Sequence, residues 1–196
     1  MGNIIKNIPK GVPGYFKSRK IKTGIAMVSG YLLVMLLFFS GIFIFADRGN
    51  LLTVAAILMM LPTGKMTVNF LMYPRNGKAD RAEYDKMCEN YDKLTILADI
   101  LITPEKKSIE FTYTAVDKAH ILIYCTDKKL DTAYHGKYIK DFLKRSDITA
   151  DVSFYTDLGK YKKRLAAVNS AASAEYTDEE KKRIEDIVYN FKILCI

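Results

Sequence analysis

The chain has 196 residues, 49% of them hydrophobic, with 30 Lys and Arg against 22 Asp and Glu, a formal net charge of +8. That length holds one or two compact units, and the composition excludes both a mainly disordered chain and a disulfide scaffold. The charge is uneven: residues 1–22 carry six basic side chains and no acid, whereas residues 74–196 carry 22 basic and 21 acidic ones, a net of +1. Bulk charge therefore gives no reason to expect nucleic acid as a partner.

In chain order, residues 1–22 form a basic segment with Lys6, Lys10, Lys17, Arg19, Lys20 and Lys22. The opening Met1-Gly2-Asn3-Ile4-Ile5-Lys6 lacks the Ser or Thr that a myristoylation signal needs at the sixth position. Thr23 to Ala46 is a run of 24 uncharged residues, which at about 1.5 Å per residue covers the roughly 30 Å hydrocarbon core of a bilayer. It is too long for the apolar part of a cleaved signal peptide. After the polar turn 47–50, a second apolar run spans Leu51 to Tyr73 and is interrupted only by Lys65.

Two readings of Lys65 stay open. Its ammonium can reach the interface along its own stem, or it can be a functional charge at a helix break made by Pro62 and Gly64. Thr63-Gly64-Lys65-Met66 is not a phosphate-binding loop, because Met59 and Met66 occupy positions that need Gly and Ser or Thr. Basic residues flank the pair of runs on the outside, with Arg75, Lys78 and Arg81 after the second and only Arg48 between them. The expected topology is multi-pass in the cell membrane with both termini cytoplasmic, the basic residues, including Lys6, Lys10, Lys17, Arg19, Lys20, Lys22, Arg75 and Lys78, fixing orientation and touching anionic lipid.

Residues 74–196 are expected to fold as one cytoplasmic α/β domain. Asp80-x-x-Glu83 predicts a helix start, with a helix over 80–91. The runs LTILADILI (94–102), SIEFTYTA (108–115) and AHILIYC (119–125) predict three strands in an antiparallel meander. Asp131 opens a helix with Tyr134, Tyr138, Phe142 and Leu143 on one stripe, a strand follows at 151–155, and Asp157 caps a helix striped by Leu158, Tyr161, Leu165 and Val168. Thr177-x-x-Glu180 forms a capping box before the last helix. The fold class is thus a two-helix transmembrane hairpin plus an α/β domain with a mixed, largely antiparallel sheet.

Chemistry-bearing residues are sparse. Cys88, Cys125 and Cys195 are far apart and His120 and His135 are isolated, so neither a metal site nor a cysteine–histidine nucleophile is arranged by spacing. No catalytic residue, metal or cofactor is assigned. The basic residues Lys128, Lys129, Lys137, Lys140, Lys144, Arg145, Lys160, Lys162, Lys163 and Arg164 gather on two predicted helices and their approaches. If those faces adjoin, they can meet lipid headgroups or an acidic partner; otherwise they are solvated.

The helix, three strands, helix, strand order resembles the core of restriction-endonuclease-like nucleases over about 75 residues. The resemblance implies an acid on the second strand, a place Glu110 can take, and an acid or Gln two residues before a Lys on the third, which Ile121 to Thr126 does not provide. The basic N-terminus, paired apolar runs with Leu61-Pro62-Thr63-Gly64-Lys65, and C-terminal α/β domain are also similar to a family of small two-span bacterial membrane proteins of unassigned function. The sequence leads to an integral membrane protein that tethers a non-catalytic interaction domain, with membrane lipid and a protein as partners and nucleic acid not expected. The alternative is a membrane-tethered enzyme, such as a degenerate nuclease-like hydrolase.

Overall fold

The computed structural model describes residues 8–45, 50–74, 77–104, 108–127, 130–172 and 176–194; Lys6, Arg48, Arg75, Lys128, Lys129 and Cys195 lie outside them. The chain divides into two units. One comprises Met1–Asn7 with Phe16–Asn76, the other Ile8–Tyr15 with Gly77–Ile196.

The first unit is built from α1 (Tyr15–Phe45) and α2 (Leu51–Met72). Both are long and apolar enough to cross a membrane, and few of their most apolar residues are buried. The helix is expected from Thr23 but begins eight residues earlier, because the straight-chain Lys and Arg residues of the basic segment are good helix formers. The two helices run antiparallel, and small residues sit at their contacts. A Cβ on Gly24 would come within 3.0 Å of the Phe70 ring, and one on Gly30 within 3.0 Å of Thr63 Oγ1. Tyr31 and Thr67 share a hydroxyl hydrogen bond at 3.0 Å. At the turn, Asn50 accepts from the Thr53 N–H as the α2 N-cap and donates to the Gly41 carbonyl at 2.7 Å. At the other end the Lys20 ammonium donates to the Tyr73 carbonyl at 2.8 Å and lies over the Phe70 ring.

Of the two readings left open for Lys65, the one with a helix break is not seen: α2 runs continuously through Pro62 and Gly64, as one helix over nearly the whole apolar run 51–73. Proline removes one backbone donor, but hydroxyls beside it take up neighbouring acceptors. Thr63 Oγ1 donates to the Met59 carbonyl at 2.8 Å and Thr67 Oγ1 to the Thr63 carbonyl at 3.0 Å.

The second unit contains α3 (Arg81–Asn90), β1 (Thr95–Ile102), β2 (Ile109–Val116), β3 (His120–Tyr124), α4 (Thr132–Lys144), β4 (Asp151–Tyr155), α5 (Leu158–Ala171) and α6 (Asp178–Leu194). The strands form one open sheet in the order β1-β2-β3-β4, antiparallel except for the parallel β3–β4 pair. Caps form where the sequence places them. Asp80, Asp131 and Asp157 each accept from a first-turn N–H, while Thr177 and Glu180 bond reciprocally. The sheet is covered on both sides. Ile123, Ile139, Leu143, Ile187 and Phe191 pack on the α4/α6 side, and Met87, Leu122, Tyr161 and Leu165 on the α3/α5 side.

Candidate functional site

Side-chain alternation in a strand has a period of two, so a change of face along one strand marks a local event. In β1, Ile96 and Ala98 face the α3/α5 core and Leu97 the other; past Asp99, Ile100 and Ile102 face the α4/α6 core although they share the parity of Ala98. The switch recurs in β2 between Phe111 and Tyr113. The register passes from Ala98↔Tyr113 to Ile100↔Phe111 with no extra residue. The cause is Asp99, which adopts φ +49° inside the strand, a conformation that costs an L-residue about 1–2 kcal/mol but suits Asp better than most.

Hydrogen bonds offset that strain. The buried Asp99 carboxylate accepts from the Gly14 N–H at 3.1 Å and the Ala79 N–H at 3.0 Å. Gly14 immediately precedes α1 in the chain and Ala79 precedes α3, so one side chain fastens to the domain both the segment leading into α1 and the segment leading out of α2. Glycine is required around it: Gly14 has φ +90°, and a Cβ on Gly77 would fall on the Asp99 carboxylate. The upstream segment also covers the edge of β1, where the Ala98 N–H donates to the Gly11 carbonyl at 2.8 Å, and a Cβ on Gly11 would stand 2.7 Å from Leu97 Cδ2.

Glu110 lies beside this clamp. Its carboxylate accepts from the Lys78 N–H at 2.9 Å and faces the Lys78 ammonium at 3.9 Å. Burial pushes the proton affinity of both Asp99 and Glu110 up; backbone N–H donors pull each back down, and the charge of Asp99 adds a further upward push on Glu110. The Cys125 thiol donates to the Glu110 carbonyl at 3.3 Å, and burial raises its pKa as well, which makes it a poor nucleophile. Among the described residues no group of three or more His, Cys, Asp or Glu could hold a metal ion. With its backbone donors in place, the arrangement can hold chain segments in register.

The sequence-selected residues are dispersed. Lys10 belongs to the second unit, where its ammonium donates to the Lys192 carbonyl; Lys17, Arg19, Lys20 and Lys22 ride on the first turns of α1; Lys78 joins Glu110; Lys65 is exposed on α2. His135 is buried on α4 with its ring edge-on to Tyr134. Of the basic residues on α4 and α5, Lys162 turns to Glu83 of α3 and Lys140 to Asp151 of β4. Asp99 is the residue that the strand pattern LTILADILI hides, and its signal there is a lone acid in an otherwise apolar strand. The acid-x-Lys spacing absent from β3 does occur just past it in the sequence, as Asp127-Lys128-Lys129. Compared with protein families, curated proteins and solved structures, the chain matches none.

Proposed function

We propose that this is an integral membrane protein whose α1–α2 hairpin spans the cell membrane twice, with both termini cytoplasmic, and whose α/β domain is a non-catalytic module that binds a protein partner at the membrane surface. The observation that carries the reading is the outward apolar surface of the hairpin. Of 23 large hydrophobic residues exposed among the described residues, 21 lie on α1 and α2 and two, Tyr189 and Ile193, on α6. A water-soluble helix pair does not leave such a surface bare, whereas a bilayer covers it. Small residues and paired hydroxyls at the α1–α2 contact suit packing in lipid, where close approach replaces the hydrophobic effect between helices. The basic start of α1 then lies at the cytoplasmic headgroups.

The expected outcome is that the protein stays with membranes after a carbonate wash and that a reporter active only in the cytoplasm works when joined after Ile196. A reporter that worked only outside would overturn the topology. Purification at native expression in mild detergent is expected to retain a stoichiometric partner; a bare protein would count against the interaction module. The rival reading of a tethered hydrolase draws on Glu110 and on Asp127, which flank the Cys125 thiol, its sulfur bonded to the Glu110 carbonyl and close to the Asp127 N–H. Metal-dependent nucleic-acid cleavage by the full-length protein, lost in both Glu110→Gln and Asp127→Asn, would replace the non-catalytic reading.

A further inference from the structure

We propose that the outer edge of β4 is a docking site for an extended acidic peptide segment, which adds to the sheet as a fifth strand. This rests on the interaction-module reading above and names the class of partner. β4 ends the sheet order and, among the described residues, pairs only with β3. In the parallel ladder the Asp151 N–H donates to the Ala119 carbonyl at 2.7 Å and the Tyr155 carbonyl accepts from the Cys125 N–H at 2.9 Å. Asp151, Ser153 and Tyr155 therefore direct their backbone groups toward β3. Val152 and Phe154 direct theirs away from it, leaving N–H and C=O groups that an added strand can pair. The opposite edge differs, because the Gly11 carbonyl already meets β1 at Ala98.

What fits this edge is set by the helices on either side. On α5, Tyr161, Leu165 and Val168 face the sheet, while Lys162 turns toward Glu83 of α3 and Asn169 toward the Lys93 N–H in the link from α3 to β1. Helical periodicity then puts Lys160 and Arg164 on the opposite flank, beside β4. On α4, Ile139 and Leu143 enter the core and Lys140 reaches Asp151 at 3.0 Å, so Lys144 and Lys137 share the flank beside β4. Asp151 sits within reach of both helices: its hydrogen bond to Lys140 holds its carboxyl below the usual range, with smaller contributions from the charges of His120 on β3 and Arg164 on α5. A cleft of about 370 Å³ opens at the start of the edge, its lining including Lys140, Asp141, Lys144, Thr149 and Asp151. Among the described residues, Lys137, Lys144, Lys160 and Arg164 have no acidic partner within ion-pairing distance.

Five basic side chains thus bracket the strand against two acids, Asp151 on the strand itself and Asp141 in the lining of the same cleft; Asp157 is engaged in its helix cap. An added strand presents alternate side chains to the two sheet faces, so carboxylates at either parity meet a cation, from α4 or from α5. A second copy of the chain would bring like charges together across the same edge, which disfavours it. A lipid surface offers charge but no alternating donors and acceptors for Val152 and Phe154.

The test uses the full-length protein in nanodiscs of neutral phosphatidylcholine and the acetylated, amidated peptide TEVETEVET. Binding is expected to slow amide exchange at Val152 and Phe154 by about tenfold or more and to weaken strongly between about 0.05 and about 0.5 M salt. The double variant Lys140→Glu/Arg164→Glu should lower affinity at least about tenfold. Lys144→Glu/Lys160→Glu, which leaves the Lys140–Asp151 pair intact, should do the same with exchange in β2 unaltered. A twin peptide methylated on alternate backbone nitrogens should not bind. No binding, equal binding of the methylated twin, indifference to both double variants, or displacement by phosphatidylserine vesicles would each overturn the proposal. So would slow exchange at Val152 and Phe154 without peptide in a protein that sediments as a dimer. Failure here alongside a retained native partner removes the edge site and leaves the tethering reading standing.

Discussion

The two units solve opposite problems with the same side-chain types. In α1 and α2 the large apolar residues point outward, with Phe43, Leu51 and Leu61 more than 70% exposed, while Thr53, Ala56 and Thr63 are buried. In the α/β domain Phe111, Tyr161, Leu165 and Phe191 are inside, and the buried acids Asp99 and Asp117 are exceptions held by hydrogen bonds. In the proposed membrane arrangement, what differs is the solvent each surface is matched to. Inside the domain, apolar burial supplies the driving force at roughly 25 cal/mol per Å². Between two helices in lipid that force is absent, and close packing with shared hydroxyls takes its place.

The contrast is tested most severely by cutting an aromatic ring in each unit. Phe111→Ala should cost the domain about 3–5 kcal/mol, because Phe111 is buried against Phe154 and the α4/α6 core. Phe43→Ala, at the bare surface of α1, should leave domain stability unchanged. Native-state hydrogen exchange of the sheet in nanodiscs reads both. Equal effects would mean that the hairpin surface is not lipid-facing. Next in size, Gly77→Ala drives a methyl into the Asp99 carboxylate and should cost about 2–3 kcal/mol through the lost amide bonds of a buried polar group. Gly64→Ala in α2, where the added methyl meets nothing within 4 Å, should be harmless.

Protonation sharpens the same point. Asp99 and Glu110 have folded pKa values raised by burial, so the folded state binds more protons than the unfolded one just above the ordinary carboxylate range. Their linkage makes stability fall as pH rises through that window. Asp151 and Glu180 have lowered values, from Lys140 and Lys118 respectively, and contribute stability that is lost only as pH drops below the ordinary range. Asp99→Asn should therefore flatten the pH dependence of β1 exchange on the side above the ordinary carboxylate range and leave the acid side intact. A flattened acid side with an unaltered upper side would show that the Asp99 carboxyl is not desolvated.

Much of this arrangement is legible in the residues. The capping acids Asp80, Asp131 and Asp157 sit next to amphipathic runs, and their chemistry is local, so sequence suffices. The apolar runs 23–46 and 51–73 announce themselves by length. Three features were not legible. How α2 accommodates Pro62 depends on Thr63 and Thr67 finding backbone acceptors one turn away. The left-handed Asp99 depends on amides 85 and 20 residues distant in the chain, which no local pattern encodes. The pairing of Lys140 with Asp151 depends on α4 packing beside β4, a matter of sheet order.

Asn50 gives a smaller effect and belongs wholly to the hairpin. Its side chain both caps α2 and holds the Gly41 carbonyl, so Asn50→Ala should cost about 1 kcal/mol, seen as faster exchange in the first turn of α2. The smallest effect expected comes from α3, where two carboxylates lie five residues apart in different surroundings. Asp80 accepts a backbone N–H at the helix start, and Asp80→Ala should cost about 1 kcal/mol. Asp85 pairs with Arg81 at 3.1 Å, but both side chains are more than half exposed, so Asp85→Ala should cost no more than about 0.5 kcal/mol and nothing at high salt. The two losses are read by the same exchange measurement on the same helix. A larger loss at Asp85 than at Asp80 would mean that exposed charge pairs, and not groups withheld from water, set the stability of this domain, and the division between its surface and its interior would have to be redrawn.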